Sequence, residues 1–224
     1  MRWTICTHVN LKGMKSTFEI PYDLLHRFCR YGLKACFAFE VQGLEHLKQI
    51  PGAVILAGNH TGLLDSLIIL AAFNQPFRFL MDERVFGWGF IGKLVRYGNI
   101  LPLNPGKPKD GMRAAIQSLQ TGTSICIFPE GKLSVNGQLG KFQEGVAFLQ
   151  EKSGATILPF VICGGFEAWP YGQRFPRFHP IQLVFGEPIL CEMGKNRVEV
   201  IVLLRSQISK ILSTTETKEW KNSG

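Results

Sequence analysis

The segment AVILAGNHTGLLDSLIILAAF, residues 53–73, decides the fold of this chain. Its first six residues are apolar and partly β-branched, which is typical of a short buried strand. Residues 63–73, LLDSLIILAAF, predict the helix that follows. His60 and Asp65 stand just past the C-terminal end of the predicted strand, where open α/β sheets usually bind their ligands.

The spacing of His60 and Asp65 predicts a bend between them. A five-residue step turns an α-helix by about 500°, which leaves two side chains roughly 140° apart, and an odd step along a strand points them to opposite faces. Gly62 makes a bend possible, with His60 in a loop and Asp65 in the first turn of the helix. We interpret them as a candidate catalytic pair. The simpler interpretation is a structural histidine and an aspartate that complements the helix dipole.

Predicted strands and helices alternate along most of the chain. This alternation predicts an α/β fold with a mixed, mostly parallel sheet flanked by helices. The length of 224 residues predicts a single domain, and the last residues, 214–224, are expected to be a frayed tail. Strands are predicted at 36–43, 53–58, 77–82, 98–103, 123–128, 155–164 and 181–186, and further helices at 86–96, 110–120, 141–153 and 195–212.

Composition narrows the possible classes of protein. Hydrophobic residues make up 46% of the chain and charged residues 19%, as in an ordered globular domain. No apolar run approaches the roughly 18 residues of a membrane-spanning helix, and residues 1–15 lack the apolar region of a signal peptide. The net charge of +8 favours an anionic partner. Because the basic residues are scattered and form no nucleic-acid motif, we expect a membrane surface or a phosphate rather than nucleic acid.

The six cysteines show no CxxC pair and no zinc-like spacing, so no metal site is expected. Several lie in apolar segments, which predicts reduced core thiols in a cytosolic protein. The cysteines are Cys6, Cys29, Cys36, Cys126, Cys163 and Cys191.

A second segment, IFPEGKLSVNGQLGKF at residues 127–142, carries further candidate site residues. Glu130 can accept hydrogen bonds from substrate hydroxyls, and Gly131 allows the backbone to approach a ligand closely. Lys132 and Lys141 flank the loop and suit a phosphate. An ordinary strand-to-loop turn with solvated lysines would show the same pattern.

Taken together, NHTGLLD, FPEGKLSVNG and the later ATILPFVI resemble the motifs of the glycerolipid acyltransferases, the lysophosphatidate acyltransferase family. Those motifs are NHxxxxD, FPEG and an apolar strand with a proline, here Pro159. The resemblance covers roughly residues 39–190. ILPLNP, FPEGKLSVNGQLGKFQEG and EKSGAT are most similar to the acyltransferase half of the bacterial 2-acylglycerophosphoethanolamine acyltransferase/acyl-carrier-protein synthetases, so only transferase activity is expected here.

The resemblance implies transfer of a fatty acyl group from an acyl-carrier-protein or CoA thioester to the free glycerol hydroxyl of a lysophospholipid, with no cofactor. It implies His60 as the general base, while Asp65 orients the ring and stabilises the imidazolium. Because a thioester is already activated, no enzyme nucleophile is required. Glu130 and Gly131 would hold the glycerol end of the acceptor.

The chain departs from the family's pattern at two expected phosphate ligands. The common second motif is FPEGTRS, whereas Lys132 and Leu133 stand at its threonine and arginine. Asn104 stands where the family often carries another arginine. Lys132, Lys141 and Arg96 are the candidate substitutes, although lysine lacks the bidentate fork of arginine. These departures favour an acceptor with a larger head group, of the lysophosphatidylethanolamine type, beside lysophosphatidate.

Residues 23–39, DLLHRFCRYGLKACFAF, predict an amphipathic helix. A basic side opposite an apolar side is typical of a helix at an anionic membrane surface, and equally of a helix that packs on a sheet. The first interpretation predicts a cytoplasmic protein, peripheral on the inner face of the membrane. The basic side comprises His26, Arg27, Arg30 and Lys34, and the apolar side Leu24, Leu25, Phe28, Cys29 and Leu33.

Two other functions remain open. A lipid esterase or thioesterase would use the same His–Asp pair, but the sequence has no G-x-S-x-G elbow, and Ser66 and Cys126 are poor candidates for a nucleophile. A non-catalytic, basic lipid-binding module would leave both motifs without a role.

Overall fold

A computed structural model describes residues 22–73, 75, 77–87, 100–190 and 196–219. Seven strands form one sheet in the order β1-β7-β6-β2-β5-β3-β4. The β6–β7 pair is antiparallel, and the other neighbouring strands are parallel. The predicted mixed, mostly parallel sheet is therefore confirmed. The strands β1 to β7 are Glu40–Gln42, Val54–Gly58, Phe77–Asp82, Ile100–Leu103, Ser124–Ile127, Thr156–Cys163 and Gln182–Phe185.

Helices cover both faces of the sheet. Along β2, Leu56 packs into one core with α1 and α2, while its neighbours Ile55 and Ala57 pack into a second core with α3, α4 and α6. This alternation explains why β2 is apolar throughout, since both of its faces are buried. The helices α1 to α6 are Tyr22–Phe37, Asp65–Ala72, Pro108–Gln120, Gly145–Ser153, Gly165–Ala168 and Arg197–Glu219, and two 3₁₀ turns span Leu44–Gln49 and Glu83–Gly87.

None of the helices in the described ranges has both the length and the apolar character needed to span a bilayer.

Several predicted elements differ from the structure at their ends, and the helix predicted at 141–153 begins only at Gly145. The strand predicted at 36–43 is shorter, because α1 continues to Phe37 and Ala38 then turns the chain with a φ of 44°. Of the helix predicted at 86–96, only the first residues are described, and they end a 3₁₀ turn. The remainder lies outside the described residues.

The frayed tail predicted at 214–224 is wrong for its first part, because α6 continues to Glu219. No glycine or proline interrupts this helix. The hydroxyls of Thr214 and Thr215 donate to the carbonyls of Lys210 and Ile211, at 2.8 Å in each case, and Thr215 is buried. The polar side chains that suggest a frayed end in the sequence thus donate hydrogen bonds to backbone carbonyls one turn earlier in the helix.

The helix α1 has apolar residues on two different sides. Cys29 and Leu33 are buried in the core, whereas Leu24 and Phe28 are 60% and 75% exposed. The predicted apolar side is therefore only partly buried, because Leu24 and Phe28 face solvent next to the exposed Arg27.

The cysteines follow the prediction in part. Cys29, Cys126 and Cys163 are buried, as expected of core thiols, but Cys36 is exposed near the end of α1. Cys6 and Cys191 lie outside the described residues.

Candidate active site

Both sequence motifs lie at the C-terminal edge of the central parallel strands. The strand β2 pairs in parallel with β5 and β6, so NHTGLLD and FPEG follow neighbouring strands at the same edge. Asn59 is buried, and its side-chain amide donates to the carbonyl of Ile162 at 2.9 Å and accepts from the amide of Ile162 at 2.8 Å. These two bonds extend the β2–β6 pairing by one residue and fix where the chain leaves the sheet.

His60 and Asp65 are in direct contact, as the predicted bend requires. His60 Nδ1 lies 2.8 Å from Asp65 Oδ2, and Asp65 is fully buried at the first residue of α2. The same oxygen accepts the backbone N–H groups of Thr61 at 2.6 Å and Gly62 at 3.0 Å. Three N–H donors on one oxygen stabilise a charged carboxylate.

The contact with Asp65 decides which nitrogen of His60 can act as a base. An ionised carboxylate only accepts hydrogen bonds, so Nδ1 carries the proton and Nε2 has the free lone pair. Within the described part of the chain, Nε2 makes no hydrogen bond, and the side chain is 21% exposed. The imidazole therefore presents a proton acceptor at the surface while a buried carboxylate holds its other nitrogen.

Two glycines bring α5 against the His–Asp loop. A Cβ on Gly62 would lie 2.5 Å from the carbonyl oxygen of Gly165 and 3.0 Å from that of Trp169. A Cβ on Gly165 would lie 2.8 Å from Thr61 Oγ1 and 3.1 Å from Asp65 Oδ1. The bend at Gly62 thus needs glycine for close approach of a neighbouring backbone.

Phe128 supports the ring of His60 from one face. The two ring centroids are 3.9 Å apart with an interplanar angle of 9°, and Phe128 in turn meets Phe160 edge to face at 5.9 Å. The imidazole is thus held in its plane by Asp65 and on one face by a core phenylalanine. No role was predicted for Phe128, although it precedes PEG at the end of a strand next to β2.

Glu130 holds the backbone of His60. Its buried carboxylate accepts the N–H of His60 at 3.0 Å through Oε1 and the N–H of Gly140 at 2.9 Å through Oε2. The amide of Ser134 donates to the carbonyl of His60 at 2.8 Å. The loop 127–142 therefore binds the peptide groups on both sides of His60. This geometry supports a positioning role for Glu130, and its contact with substrate hydroxyls stays a prediction.

Gly131, Lys132 and Lys141 lie exposed in the same loop. Gly131 has a φ of 68°, a left-handed conformation that turns the chain directly after Glu130. Among the described residues, neither lysine forms an ion pair. Phosphate binding by Lys132 and Lys141 stays a prediction.

Asn104 stands where the family that the sequence resembles often has an arginine, and its side chain stabilises a local turn. Its Oδ1 accepts the backbone N–H groups of Gly106 at 2.7 Å and Lys107 at 3.1 Å, and its Nδ2 donates to Glu83 Oε1 at 2.6 Å. The side chain is thus fully engaged just after β4. Arg96, the other suggested substitute, lies outside the described residues.

No serine or cysteine in the described ranges hydrogen-bonds to the imidazole of His60. Burial, together with the smaller effect of the negative charge of Asp65, raises the pKa of the Cys126 thiol well above its usual range. Such a thiol is a poor nucleophile, because the thiolate is the reactive form. Ser66 follows Asp65 in α2 and makes no such bond either. The described residues also contain no group of three or more His, Cys, Asp or Glu that could hold a metal ion.

Comparisons with known proteins place this site within a family. The 1-acyl-sn-glycerol-3-phosphate acyltransferase BAT2, chloroplastic, of Brassica napus is 25% identical over 170 residues, which cover 71% of this chain and 49% of that protein. The 1-acyl-sn-glycerol-3-phosphate acyltransferase of Pseudomonas aeruginosa is 24% identical over 187 residues, covering 77% and 71%. The chain spans about half the length of several curated relatives that it matches, among them BAT2.

A solved structure shows the same fold. The crystal structure of the 1-acyl-sn-glycerophosphate acyltransferase PlsC from Thermotoga maritima matches with a TM-score of 0.75 and 22% identity, covering 87% of this chain and 79% of that one. A family model described as Acyltransferase matches residues 38–163, which contain His60, Asp65 and Glu130. Because the match spans more than half of this chain, the chain belongs to the Acyltransferase family.

Proposed function

We propose that this chain transfers a fatty acyl group from a thioester to the free glycerol hydroxyl of a lysophospholipid, either lysophosphatidate or an acceptor of the lysophosphatidylethanolamine type. The observation that carries the proposal is the contact of His60 with the buried Asp65, which leaves Nε2 as an accessible base. The printed names of the curated relatives, which are acyltransferases for 1-acyl-sn-glycerol-3-phosphate, support the same class of reaction.

In the proposed reaction, Nε2 of His60 takes the proton of the acceptor hydroxyl as its oxygen attacks the thioester carbonyl. A carbon–oxygen bond forms, the carbon–sulfur bond breaks, and the imidazolium returns its proton to the departing thiolate. Asp65 stabilises the imidazolium while it exists. General base catalysis of this kind contributes on the order of 10²- to 10⁴-fold in rate. Acyl-carrier protein or CoA carries the donor, and no further cofactor takes part.

The proposal is tested with purified protein, acyl-carrier-protein or CoA thioesters, and a panel of lysophospholipids that differ in head group. Mass spectrometry should detect the diacyl product, formed only when a lysophospholipid is present. Release of free fatty acid at the same rate with and without the acceptor would instead show a thioesterase.

The two lysines of the 127–142 loop give a prediction about the acceptor. Lys132→Ala and Lys141→Ala should each raise KM for the lysophospholipid about ten-fold, the effect of losing one charge-assisted hydrogen bond. KM for the thioester should change little, since its reacting group is neutral. Lys210→Ala, which removes an exposed lysine on α6, is the matched control. Equal changes in both KM values would show that the lysines do not select the acceptor.

We also infer that the protein works peripherally on an anionic membrane surface, on its cytoplasmic face, because acceptor and product carry long acyl chains. The exposed side of α1 supports this inference. Leu24, Phe28 and Tyr31 are 60%, 75% and 69% exposed, and Arg27 and Lys34 are exposed beside them. Apolar and basic side chains on one solvent-facing helix surface suit an interface with anionic lipid.

Charge reversal on α1 tests this membrane contact. Arg27→Glu with Lys34→Glu should weaken binding to anionic vesicles by at least about ten-fold, since each basic residue near such a surface contributes about 1 kcal/mol. Turnover of vesicle-borne lysophospholipid should fall with it, whereas turnover of detergent-dispersed acceptor should be retained. An equal loss in both assays would mean that α1 has only a structural role.

A further inference from the structure

The loop that joins α5 to β7 has no role in the reaction described above. It comprises residues 169–180, WPYGQRFPRFHP, and is called the 169–180 loop. It contains one tryptophan, one tyrosine, two phenylalanines and two arginines, and no acidic residue. This composition is unusual for a connection exposed to water, because burial of aromatic side chains is favourable in free energy.

Hydrogen bonds fix the shape of the 169–180 loop. The amide of Arg177 donates to the carbonyl of Ala168 at 2.7 Å, which folds the middle of the loop back onto α5. The indole of Trp169 donates to the carbonyl of Gln173 at 2.9 Å. At its end, the amide of Ile181 donates to the carbonyl of Phe37 at 2.9 Å. Two of these bonds tie the loop to α5 and to the end of α1, and the bond of Trp169 closes the first turn of the loop.

The anchored loop presents aromatic rings and positive charges to solvent. Tyr171, Phe175 and Phe178 are 59%, 68% and 85% exposed, and both arginines are exposed as well. The guanidinium of Arg174 lies 5.3 Å from the ring centroid of Phe175, within the range of a cation–π contact. In the described part of the chain, neither Arg174 nor Arg177 pairs with a carboxylate. Their charge is free to meet an anion.

The 169–180 loop connects the candidate active site with α1. At its start, the carbonyl of Trp169 accepts the N–H of Leu63 at 3.1 Å, which ties the loop to NHTGLLD. Near its end, the ring of Phe178 stacks with that of Phe37, the last residue of α1, at a centroid distance of 6.3 Å. A surface that contacts the loop would therefore adjoin both the helix inferred to meet the membrane and the segment that holds His60.

We propose that the 169–180 loop is a second membrane-contacting element, which places Phe175 and Phe178 in the interface of a bilayer and binds anionic head groups through Arg174 and Arg177. This inference rests on the proposed function, which draws its acceptor from a membrane. Aromatic rings favour the membrane–water interface, and the arginines are attracted to its negative surface potential. Continuity with the exposed apolar and basic side of α1 favours a bilayer over a soluble acidic partner such as acyl-carrier protein.

Two double variants separate the apolar and the charged parts of the contact. Phe175→Ala with Phe178→Ala should weaken binding about ten-fold to vesicles of phosphatidylcholine alone and to an equal mixture with phosphatidylglycerol. Arg174→Gln with Arg177→Gln should weaken binding to the mixed vesicles about 30-fold, the effect of two surface charges of about 1 kcal/mol each. It should leave binding to neutral vesicles unchanged. Co-sedimentation measures both.

A matched control removes similar residues from another surface. Val198→Ala, Val202→Ala and Arg205→Gln remove exposed apolar and basic side chains from α6, which packs on the other face of the sheet. This variant should bind both kinds of vesicle as the unmodified protein does. Turnover of detergent-dispersed acceptor should be unchanged in all three variants, which shows that the fold and the chemistry are intact.

Three results would overturn the inference. Vesicle binding by both loop variants within two-fold of the unmodified protein would do so. A second such result would be loop variants that bind vesicles normally but lose transfer from acyl-carrier protein and keep transfer from CoA, because the loop would then dock the carrier. Loss of the detergent-based activity would give the loop a structural role. Failure of the unmodified protein to transfer an acyl group in any assay would refute the proposed function instead, and vesicle binding would still decide the role of the loop.

Discussion

The His60→Ala variant is expected to lose about 10²- to 10⁴-fold in kcat for acyl transfer, because it lacks the group that accepts the hydroxyl proton. The protein should remain folded. His60 is partly exposed, and the buried carboxylate of Asp65 keeps the backbone N–H groups of Thr61 and Gly62 as donors. Initial rates at saturating substrate, together with a thermal melt, measure the two effects separately.

Near-normal turnover by a folded His60→Ala protein would contradict the general-base role. Phe128→Leu is a useful companion variant, since it removes the ring that stacks on His60 at 3.9 Å and keeps an apolar side chain of similar size. It should cost less activity than His60→Ala, because Asp65 still orients the imidazole.

Asp65→Asn is expected to cost nearly as much activity, again about 10²- to 10⁴-fold in kcat. An amide oxygen can still accept from Nδ1, but the negative charge that stabilises the imidazolium is lost. The buried position adds a cost in stability of about 1–3 kcal/mol wherever the amide leaves a backbone N–H unpaired. Turnover and a denaturant melt of the same preparation measure both.

Asp110→Asn is the matched control for Asp65. Asp110 is also an aspartate in the first turn of a helix, α3, but it is exposed and lies outside both motifs. If Asp65 only complemented the dipole of α2, its replacement would resemble that of Asp110, with a change of about 0.3–1 kcal/mol in stability and no loss of activity. Similar turnover in the two variants would therefore contradict the catalytic role of Asp65.

The contact of His60 with Asp65 was predictable because it depends on only seven consecutive residues. The apolar strand before this segment, the glycine within it and the helix after it together predict the bend that brings the two side chains into contact. The core of the sheet was predictable for a similar reason. Continuous apolar runs such as β2 and β6 need burial on both faces, which a parallel sheet provides.

The groups that hold His60 were harder to predict because they come from distant parts of the chain. Glu130 and Phe128 reach His60 only because β5 pairs with β2, and Asn59 and Gly165 depend on the pairing of β2 with β6. The periodicity of apolar residues does not predict the order of strands in the sheet. The sequence therefore predicts a contact of Glu130 with substrate, which stays a prediction, but not the bonds of its two oxygens to backbone amides.

The two sides of α1 show a different limit. Helical periodicity places Leu24 and Phe28 near Cys29 and Leu33 only if the apolar surface is treated as one broad side. In the structure, Cys29 and Leu33 are buried against the core, and Leu24 and Phe28 remain exposed. Which apolar residues of α1 are buried depends on where α2 packs against it, and the sequence of α1 alone does not give that position.

The most direct test of the central claim is intact-protein mass spectrometry during a single turnover, with enzyme in excess over an acyl-CoA thioester and lysophosphatidate present. Direct transfer, with His60 as the base, predicts that the mass of the protein never increases and that the diacyl product accounts for all thioester consumed. A transient acyl adduct on Ser66 or on any cysteine, or free fatty acid in place of the diacyl product, would contradict it.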